Sequence, residues 1–289
     1  MLRRDFLRAG LAAGAVAAFP FSRSLADDSA MKVLYFTNSA GFEHEPVKIV
    51  KDGLSVSDIA LKKLGAAYNI EVVCTKDGKI FDGDLKQFSA IAFYTSGDLL
   101  TGPNAMSAEG KKRFLAAIDD GIGFLGFHAS TDTWRTEGPA FENQTKVDPY
   151  ISMLGAEFIS HGPDQEAVMK VTQPTRVPWL KDKGEAFKHF EEWYALKNFN
   201  KDMHVILTLE TEGMQGRDYN RPPFPVHWAR MQKKGRVMYT ALGHHNAFFE
   251  NENMMRYVRD SFAWILGEYD MDLTPNIDKV APGASILQR

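Results

Sequence analysis

Cysteine is almost absent from this sequence of 289 residues, in which Cys74 stands alone. A single cysteine cannot form a disulfide within the chain, and it excludes every zinc site built on paired cysteines. Long apolar runs are absent after residue 30, so no later segment is predicted to span a bilayer. The remaining composition, with 44% hydrophobic and 25% charged residues, is typical of a globular protein whose stability comes from packing.

The first 26 residues have a composition of their own. Arg3 and Arg4 open a basic segment, residues 9–21 form an apolar, alanine-rich run, and small residues occupy positions 24 and 26. The run is too short for a transmembrane helix, and the small residues offer a signal-peptidase site after Ala26. Residues 1–26 are therefore predicted to be a cleaved export signal of the twin-arginine type, in preference to a retained membrane anchor, and the protein is predicted to be periplasmic or secreted.

Basic residues are scarce once this segment is set aside. Residues 1–26 carry four arginines and one aspartate, so the remaining 263 residues have a formal net charge of −6. A nucleic-acid-binding surface needs clustered lysine and arginine. We therefore expect no nucleic-acid partner.

Short apolar runs alternate with amphipathic segments in the first half of the chain. The predicted strands of this half are residues 31–38, 70–74, 90–95 and 122–127. Residues 47–68 and 107–120 have apolar residues at helical spacing, and Ser107 is predicted to be the N-cap of the second helix. This order predicts an α/β fold of three layers, in which helices flank a mainly parallel sheet.

The second half of the chain has shorter segments that are typical of strands. The last two, residues 225–229 and 236–242, are predicted to form a hairpin, and a final amphipathic helix is predicted over residues 252–266. We expect residues 27–269 to form one domain and residues 270–289 to form an extended C-terminal tail.

The turn after the predicted strand 122–127 is the most informative segment. Gly126, Ala129 and Ser130 surround His128 with small side chains. Small neighbours let a chain bend sharply after a strand and project one side chain above the sheet, as in a nucleophile elbow. Ligands of open α/β sheets bind beyond the carboxyl ends of the strands. We therefore predict that His128 lies in the central cleft.

Other polar residues also follow predicted strands or begin strand-like segments. They are His44, His161, His244, Asp132 and Glu192. Imidazole and carboxylate are ordinary ligands of zinc and similar divalent ions, and His44, His128 and His244 are the predicted ligands of such a cofactor. Because no HExxH helix pair fixes a metal site, the alternative remains that these groups are acids, bases and hydrogen-bond donors to a polar substrate.

Aromatic and hydroxyl side chains offer further chemistry. Trp134 and Trp228 could stack on the apolar face of a sugar ring, and packing in the core is the alternative for each. Ser130 could be a hydrolase nucleophile if His128 or His244 lies within hydrogen-bond reach of its hydroxyl.

Several short motifs stand in a characteristic order along the chain. They are Gly41-Phe42-Glu43-His44, residues 126–132 from Gly126 to Asp132, Gly155-Ala156-Glu157-Phe158 with His161, Glu192-Trp193-Tyr194, Pro225-Val226-His227-Trp228 and Leu242-Gly243-His244. With this set the chain resembles the ThuA-like (trehalose utilisation) family over residues 31–267. One departure is Thr172-Gln173-Pro174, where the family pattern has histidine before the proline.

The resemblance implies a fold and a field of chemistry. The fold is of the class I glutamine amidotransferase-like, or flavodoxin-like, type, and the chemistry is carbohydrate catabolism that includes trehalose and 3-keto sugars. Glutamine amidotransferases have their nucleophilic cysteine at the elbow, where this chain has His128. Since imidazole cannot form the thioester, glutaminase activity is not expected.

We expect an exported enzyme that acts on a sugar or glycoside, with this carbohydrate as its small-molecule partner. The expected catalytic residues are His128, His244, Glu192 and Asp132, and the expected substrate contacts are His44, His161, Trp134 and Trp228. The alternative is a non-catalytic carbohydrate-binding or accessory protein on a degenerate fold. Convergence of four or more titratable groups in one cleft favours the enzyme, whereas scattered histidines favour the binding protein.

Overall fold

The computed structural model describes residues 31–287 and contains a sheet of nine strands. The strands of the chain are β1 (Met31–Phe36), β2 (Ile49–Lys51), β3 (Leu54–Ser55), β4 (Ile70–Thr75), β5 (Ala90–Phe93), β6 (Gly123–Phe127), β7 (Glu157–His161), β8 (Gln165–Val171), β9 (Ala186–Glu191), β10 (Tyr194–Lys197), β11 (His204–Glu210), β12 (Phe224–Gln232) and β13 (Gly235–Thr240). The helices are α1 (Val56–Ala67), α2 (Ala108–Asp119), α3 (Pro149–Leu154), α4 (Asn246–Glu250), α5 (Glu252–Ile265) and α6 (Ile277–Val280). The predicted export signal, residues 1–26, lies outside the described residues. Within residues 31–287 no helix has the length and apolarity needed to cross a membrane.

The large sheet has a parallel half and an antiparallel half. Its order is β4-β1-β5-β6-β13-β12-β11-β8-β9, and the pairs from β4 to β13 are parallel whereas the pairs from β13 to β9 are antiparallel. Helices α1, α4 and α5 contact one another, and α2 contacts α3. The predicted three-layer α/β fold is therefore confirmed, and the predicted hairpin is β12 and β13.

The parallel strands form the centre of the core. All residues of β5 and β6 are buried, as are Val33–Phe36 of β1. Strands covered on both faces are continuous apolar runs, so they carry no alternating pattern. Their carboxyl ends lie at one edge of the sheet, and the loops that follow β1, β6 and β13 meet there.

The boundaries of the first two helices follow from local capping. Ser107 Oγ accepts a hydrogen bond from Gly110 N at 2.8 Å, which confirms the predicted N-cap of α2. The helix predicted over residues 47–68 begins only at Val56, because a tight turn with Gly53 at φ +74° joins β2 to β3. Ser55 then caps α1 in a capping box with Asp58.

The C-terminal segment is packed more closely than the predicted extended tail. Ile277, Ala281 and Ala284 are buried, and Ile277 begins α6. The Asn276 side chain accepts a hydrogen bond from Val205 N at 2.7 Å and donates one to Val205 O at 3.0 Å. These contacts fasten the segment to β11, so its small apolar residues belong to the core.

Buried His227 gives the fold a dependence on pH. Its Nδ1 lies 2.7 Å from the carbonyl oxygen of Tyr239 on the neighbouring strand, and its buried Nε2 has no hydrogen-bond partner within residues 31–287. Burial lowers the pKa of His227 from 6.5 to about 3. The unfolded chain therefore binds a proton here between about pH 6.5 and pH 3, and the folded chain does not.

We predict that a His227→Asn variant loses part of the pH dependence of stability. The contribution of His227 is complete above pH 6.5 and falls with pH by up to about 1.4 kcal/mol per pH unit. Urea unfolding at pH 7, 6 and 5 measures it, and the variant should have the shallower slope. Equal slopes in the two proteins would contradict the buried neutral imidazole.

Candidate functional site

His128 lies on a sharp turn directly after β6. Its φ of +33° is rare for a residue with a side chain, and its side chain is fully buried. A Cβ on Gly126 would lie 2.5 Å from Ser130 Oγ, so the bend needs glycine there. The sequence prediction of an elbow with His128 at its apex therefore agrees with the backbone.

Four side chains converge above the carboxyl edge of the sheet, and we call them the His–Glu cluster. They are His44, His128, Glu192 and His244, and each has a ligand atom within 4.8 Å of the others. His44 follows β1, His128 follows β6, His244 follows β13, and Glu192 lies in the bend between β9 and β10. The parallel strands deliver the three imidazoles, and the antiparallel half delivers the carboxylate.

Glu192 Oε2 is the central atom of the cluster. It lies 3.1 Å from His244 Nδ1, 3.4 Å from His128 Nε2 and 3.9 Å from His44 Nε2. His244 Nδ1 and His128 Nε2 are 3.2 Å apart. Such distances bring lone pairs together unless a proton or another cation lies between them.

The orientation of His128 is fixed by a backbone hydrogen bond. Its Nδ1 lies 2.8 Å from the carbonyl oxygen of Ala241. A carbonyl can only accept, so Nδ1 carries the proton, and neutral His128 turns the Nε2 lone pair towards Glu192. Metal-binding histidines are held in this way by a hydrogen bond on the other ring nitrogen.

The His–Glu cluster fits a four-coordinate divalent ion. With metal–ligand distances of about 2.0–2.1 Å, tetrahedral ligands lie about 3.3 Å apart. The distances of 3.1, 3.2 and 3.4 Å within the cluster are close to this value, and the distance from Glu192 Oε2 to His44 Nε2 is 3.9 Å. Three imidazoles and one carboxylate form a ligand set that suits zinc and similar ions.

The electrostatics of the cluster favour a bound cation. Although burial favours the neutral acid, the neighbouring imidazoles hold the pKa of Glu192 well below its usual range. Burial lowers the pKa of His128, and it lowers that of His44 to about 2 with help from the other imidazoles. Burial opposes protonation of His244 as well, but the hydrogen bond to Glu192 raises its pKa. The cluster thus holds an ionised carboxylate beside two imidazoles whose neutral forms burial favours, those of His44 and His128, and beside His244, whose protonated form the carboxylate favours.

Three further polar side chains border the cluster. His161 Nδ1 lies 3.2 Å from Glu192 Oε1, and the Tyr194 hydroxyl lies 3.0 Å from His44 Nε2. Asp132 stands farther out in an ion pair with Arg135 at 3.0 Å, and burial raises its pKa to about 6 although Arg135 opposes the shift. Asp132 can therefore exchange a proton close to neutral pH, and neither Asp132 nor His161 belongs to the ligand set.

A family comparison identifies the kind of protein. The sequence model of a protein family described as ThuA, trehalose utilisation, matches residues 32–265 of this chain. The chain belongs to the ThuA family. The resemblance inferred from the ordered motifs is thereby confirmed.

Two solved structures of ThuA-like proteins share the fold. A putative ThuA-like protein from Bacteroides uniformis has 21% identity and a TM-score of 0.61, over 86% of this chain and 95% of its own. One from Parabacteroides merdae has 17% identity and a TM-score of 0.58, over 84% of this chain and 92% of its own. At such identities the likeness establishes the fold and not the reaction. No curated protein matches the sequence.

The two tryptophans expected to bind sugar are not available for stacking. Trp228 is fully buried, donates its Nε1 hydrogen to Leu154 O at 2.8 Å and packs on Tyr239. Trp134 is also buried, with the Lys111 ammonium 4.2 Å from the centre of its ring. Neither ring has a face free to stack on a sugar. Both tryptophans instead pack in the core, which was the alternative for each.

The condition for Ser130 to act as a nucleophile, a histidine within hydrogen-bond reach, is not met. The Ser130 hydroxyl is buried and has no hydrogen-bond partner among the described residues, so neither His128 nor His244 can take its proton. The serine instead provides the small side chain that the turn after β6 requires.

Two residues near Glu192 were missed by the sequence analysis. Glu191 accepts hydrogen bonds from the backbone N–H groups of Gly243 at 2.8 Å and His244 at 3.2 Å, and burial raises its pKa to about 8. Tyr194 contacts His44. In an extended chain, residues 192 and 194 lie on one side and residue 191 on the other. The expected position of Glu192 in the site could therefore have indicated that Tyr194 lies there too.

Proposed function

We propose that this ThuA-family protein is a carbohydrate-catabolism enzyme that acts on a trehalose-like glycoside or its 3-keto derivative. The proposed chemistry is acid–base catalysis by histidine and carboxylate side chains, assisted by a divalent metal. The observation that carries the proposal is the convergence of His44, His128, His244 and Glu192 at the carboxyl edge of the sheet. The family description, trehalose utilisation, supports a carbohydrate substrate.

Proton transfer is the reaction that the residues around the His–Glu cluster support best. In a 3-keto glycoside the C–H bond at C2 is acidic because it lies beside the carbonyl group. A base that removes this proton forms an enolate, which either regains a proton elsewhere or expels the glycosidic oxygen from C1. His161 and Asp132 are suited to accept and return the proton, since neither belongs to the proposed ligand set. A divalent ion held by the cluster would polarise the substrate carbonyl.

A non-catalytic sugar-binding protein is the alternative function. Binding alone does not require a buried carboxylate among imidazoles, because burial of such a group costs free energy. Five titratable side chains, with His161 added to the cluster, lie together at the carboxyl edge of the sheet and support the enzyme. Glutaminase activity is not proposed, because His128 occupies the position of the nucleophilic cysteine.

The metal assignment predicts loss of bound metal from the Glu192→Gln and His128→Ala variants. Each change removes one ligand, whereas His204→Ala changes a half-buried histidine outside the cluster. Elemental analysis should find stoichiometric zinc or a related ion in wild type and in His204→Ala, and at least tenfold less in the other two. Added metal should raise the melting temperature only of proteins that bind it. Equal metal content in all four proteins would overturn the assignment.

The catalytic assignment predicts that a His128→Ala, His244→Ala double variant loses activity. Turnover of 3-keto glycosides should fall by roughly a hundredfold or more in the double variant and should respond to a chelator in wild type. Asp132→Asn should lower kcat while the metal stays bound. Product analysis by mass spectrometry and NMR measures these effects. Unchanged turnover in the double variant would remove the His–Glu cluster from the mechanism.

We also propose that the protein is exported in the folded state. The twin-arginine pair supports a route that carries folded, cofactor-loaded proteins. An Arg3→Lys, Arg4→Lys variant is predicted to remain in the cytoplasm with its N-terminal segment uncleaved, whereas wild type reaches the periplasm with Asp27 as its first residue. Cell fractionation and N-terminal mass analysis measure this. Periplasmic recovery of both proteins in equal amounts would contradict the proposed route.

A further inference from the structure

A row of five ring side chains crosses the site, and we call it the ring row. Its members, in order of contact, are Phe42, His44, His244, His245 and Phe190. The successive ring centres are 4.9, 5.2, 4.6 and 5.6 Å apart. His44 and His244 belong to the His–Glu cluster, so the chain of ring contacts passes through the proposed catalytic groups and has a phenylalanine at each end.

The two ends of the ring row are open to solvent. Phe42 is 65% exposed and Phe190 is 54% exposed, whereas His44 between them is buried. Removal of a phenylalanine ring from water is favourable, so each exposed ring remains available to a ligand. Isolated exposed apolar residues are common. Here, however, Phe42 contacts His44 of the His–Glu cluster, and Phe190 contacts His245, the neighbour of His244.

The backbone holds both rings in defined positions. Ser96 Oγ donates a hydrogen bond to the Phe42 carbonyl oxygen at 2.7 Å, and Gly41 N donates one to Ser96 O at 3.1 Å. Phe190 lies on β9, where it pairs with Glu166 of β8. A ligand that stacks on these rings would therefore not have to order the backbone first.

The chemistry between the ends of the row identifies the ligand class. A protein partner that docks through apolar contacts needs a contiguous apolar patch. Here the two phenylalanines are separated by imidazoles, and His245 forms an ion pair with Asp164 at 3.3 Å. Alternation of aromatic faces with polar groups matches a saccharide, whose rings have apolar C–H faces and hydroxyl edges.

We propose that Phe42 and Phe190 are stacking platforms for two sugar rings, with the bond between the rings at the His–Glu cluster. The substrate class is then a glycoside of at least two rings, not a free monosaccharide. This inference rests on the proposed function, and it replaces the expected stacking on Trp134 and Trp228. Phe42 and Phe190 are binding residues and take no part in proton transfer.

Binding measurements test the inference independently of turnover. The probes are trehalose, 3-ketotrehalose and glucose, titrated calorimetrically into the whole mature protein. Phe42→Ala and Phe190→Ala should each weaken disaccharide binding by roughly fivefold to tenfold, the loss expected for one aromatic contact. Phe42→Tyr and Phe190→Tyr should retain the affinity because they keep the ring face. With a substrate that is turned over, the alanine variants should raise KM and leave kcat nearly unchanged.

A matched control separates stacking from general loss of apolar surface. Met231 is 39% exposed and pairs with Arg236 near the start of β13, at the sheet edge opposite the site. Met231→Ala should bind like wild type, and melting temperatures should verify that every variant is folded.

The outcomes distinguish this inference from the proposed function. Disaccharide binding that depends on both phenylalanines, without turnover, would support the stacking role of Phe42 and Phe190 and contradict the proposed catalytic function. Turnover of disaccharides with unchanged KM in both alanine variants would contradict the stacking role of the two phenylalanines and leave the proposed catalytic function in place. Failure to bind any disaccharide probe, equal affinity for glucose and trehalose, or an effect of only one phenylalanine would also overturn the two-ring assignment.

Discussion

The burial of one carboxylate, that of Glu192, constrains the rest of the site. An ionised carboxylate removed from water costs several kcal/mol unless positive charge or hydrogen bonds compensate for it. Glu192 is 8% exposed and meets four imidazoles, those of His44, His128, His161 and His244. Those four rings must therefore converge on the Glu192 carboxylate, and this convergence constrains the conformation of the loops that carry them. This requirement explains a turn with φ +33° at His128, since an ordinary turn would direct its ring elsewhere.

The direction of the strands meets this requirement. Parallel pairing carries β1, β6 and β13 to a common edge, where their loops supply three imidazoles. Across the sheet from β13 to β9, strand direction reverses four times, so β9 runs in the same direction as β13. Glu192, which follows β9, therefore also lies at this edge. The antiparallel half therefore does more than enlarge the core, because it brings the carboxylate to histidines held by the parallel half.

Features set by local sequence could be predicted, and features set by distant packing could not. The α/β order, the Ser107 cap and the elbow at His128 depend on short segments, and all three agree with the structure. Histidines at strand ends were expected to meet because topology brings strand ends together. In contrast, a tryptophan has the same local signature in a core as on a sugar platform, and only tertiary contacts remove Trp134 and Trp228 from the site. The exposed Phe42 carried no periodic signal, and the contacts that bury Ile277 come from β11.

Adjacent glutamates show how one extended segment serves two purposes. Glu191 and Glu192 contact different parts of one loop, and Glu191 accepts hydrogen bonds from the backbone of Gly243 and His244. Glu191 thus holds the loop that carries His244, while Glu192 contacts the ring of the same histidine at 3.1 Å. Backbone and side chain of His244 are fixed by consecutive residues of one strand end, so a shift of that segment would displace the carboxylate and the imidazole together. Coupled displacement preserves their mutual distance, which is what a shared cation between the two groups requires.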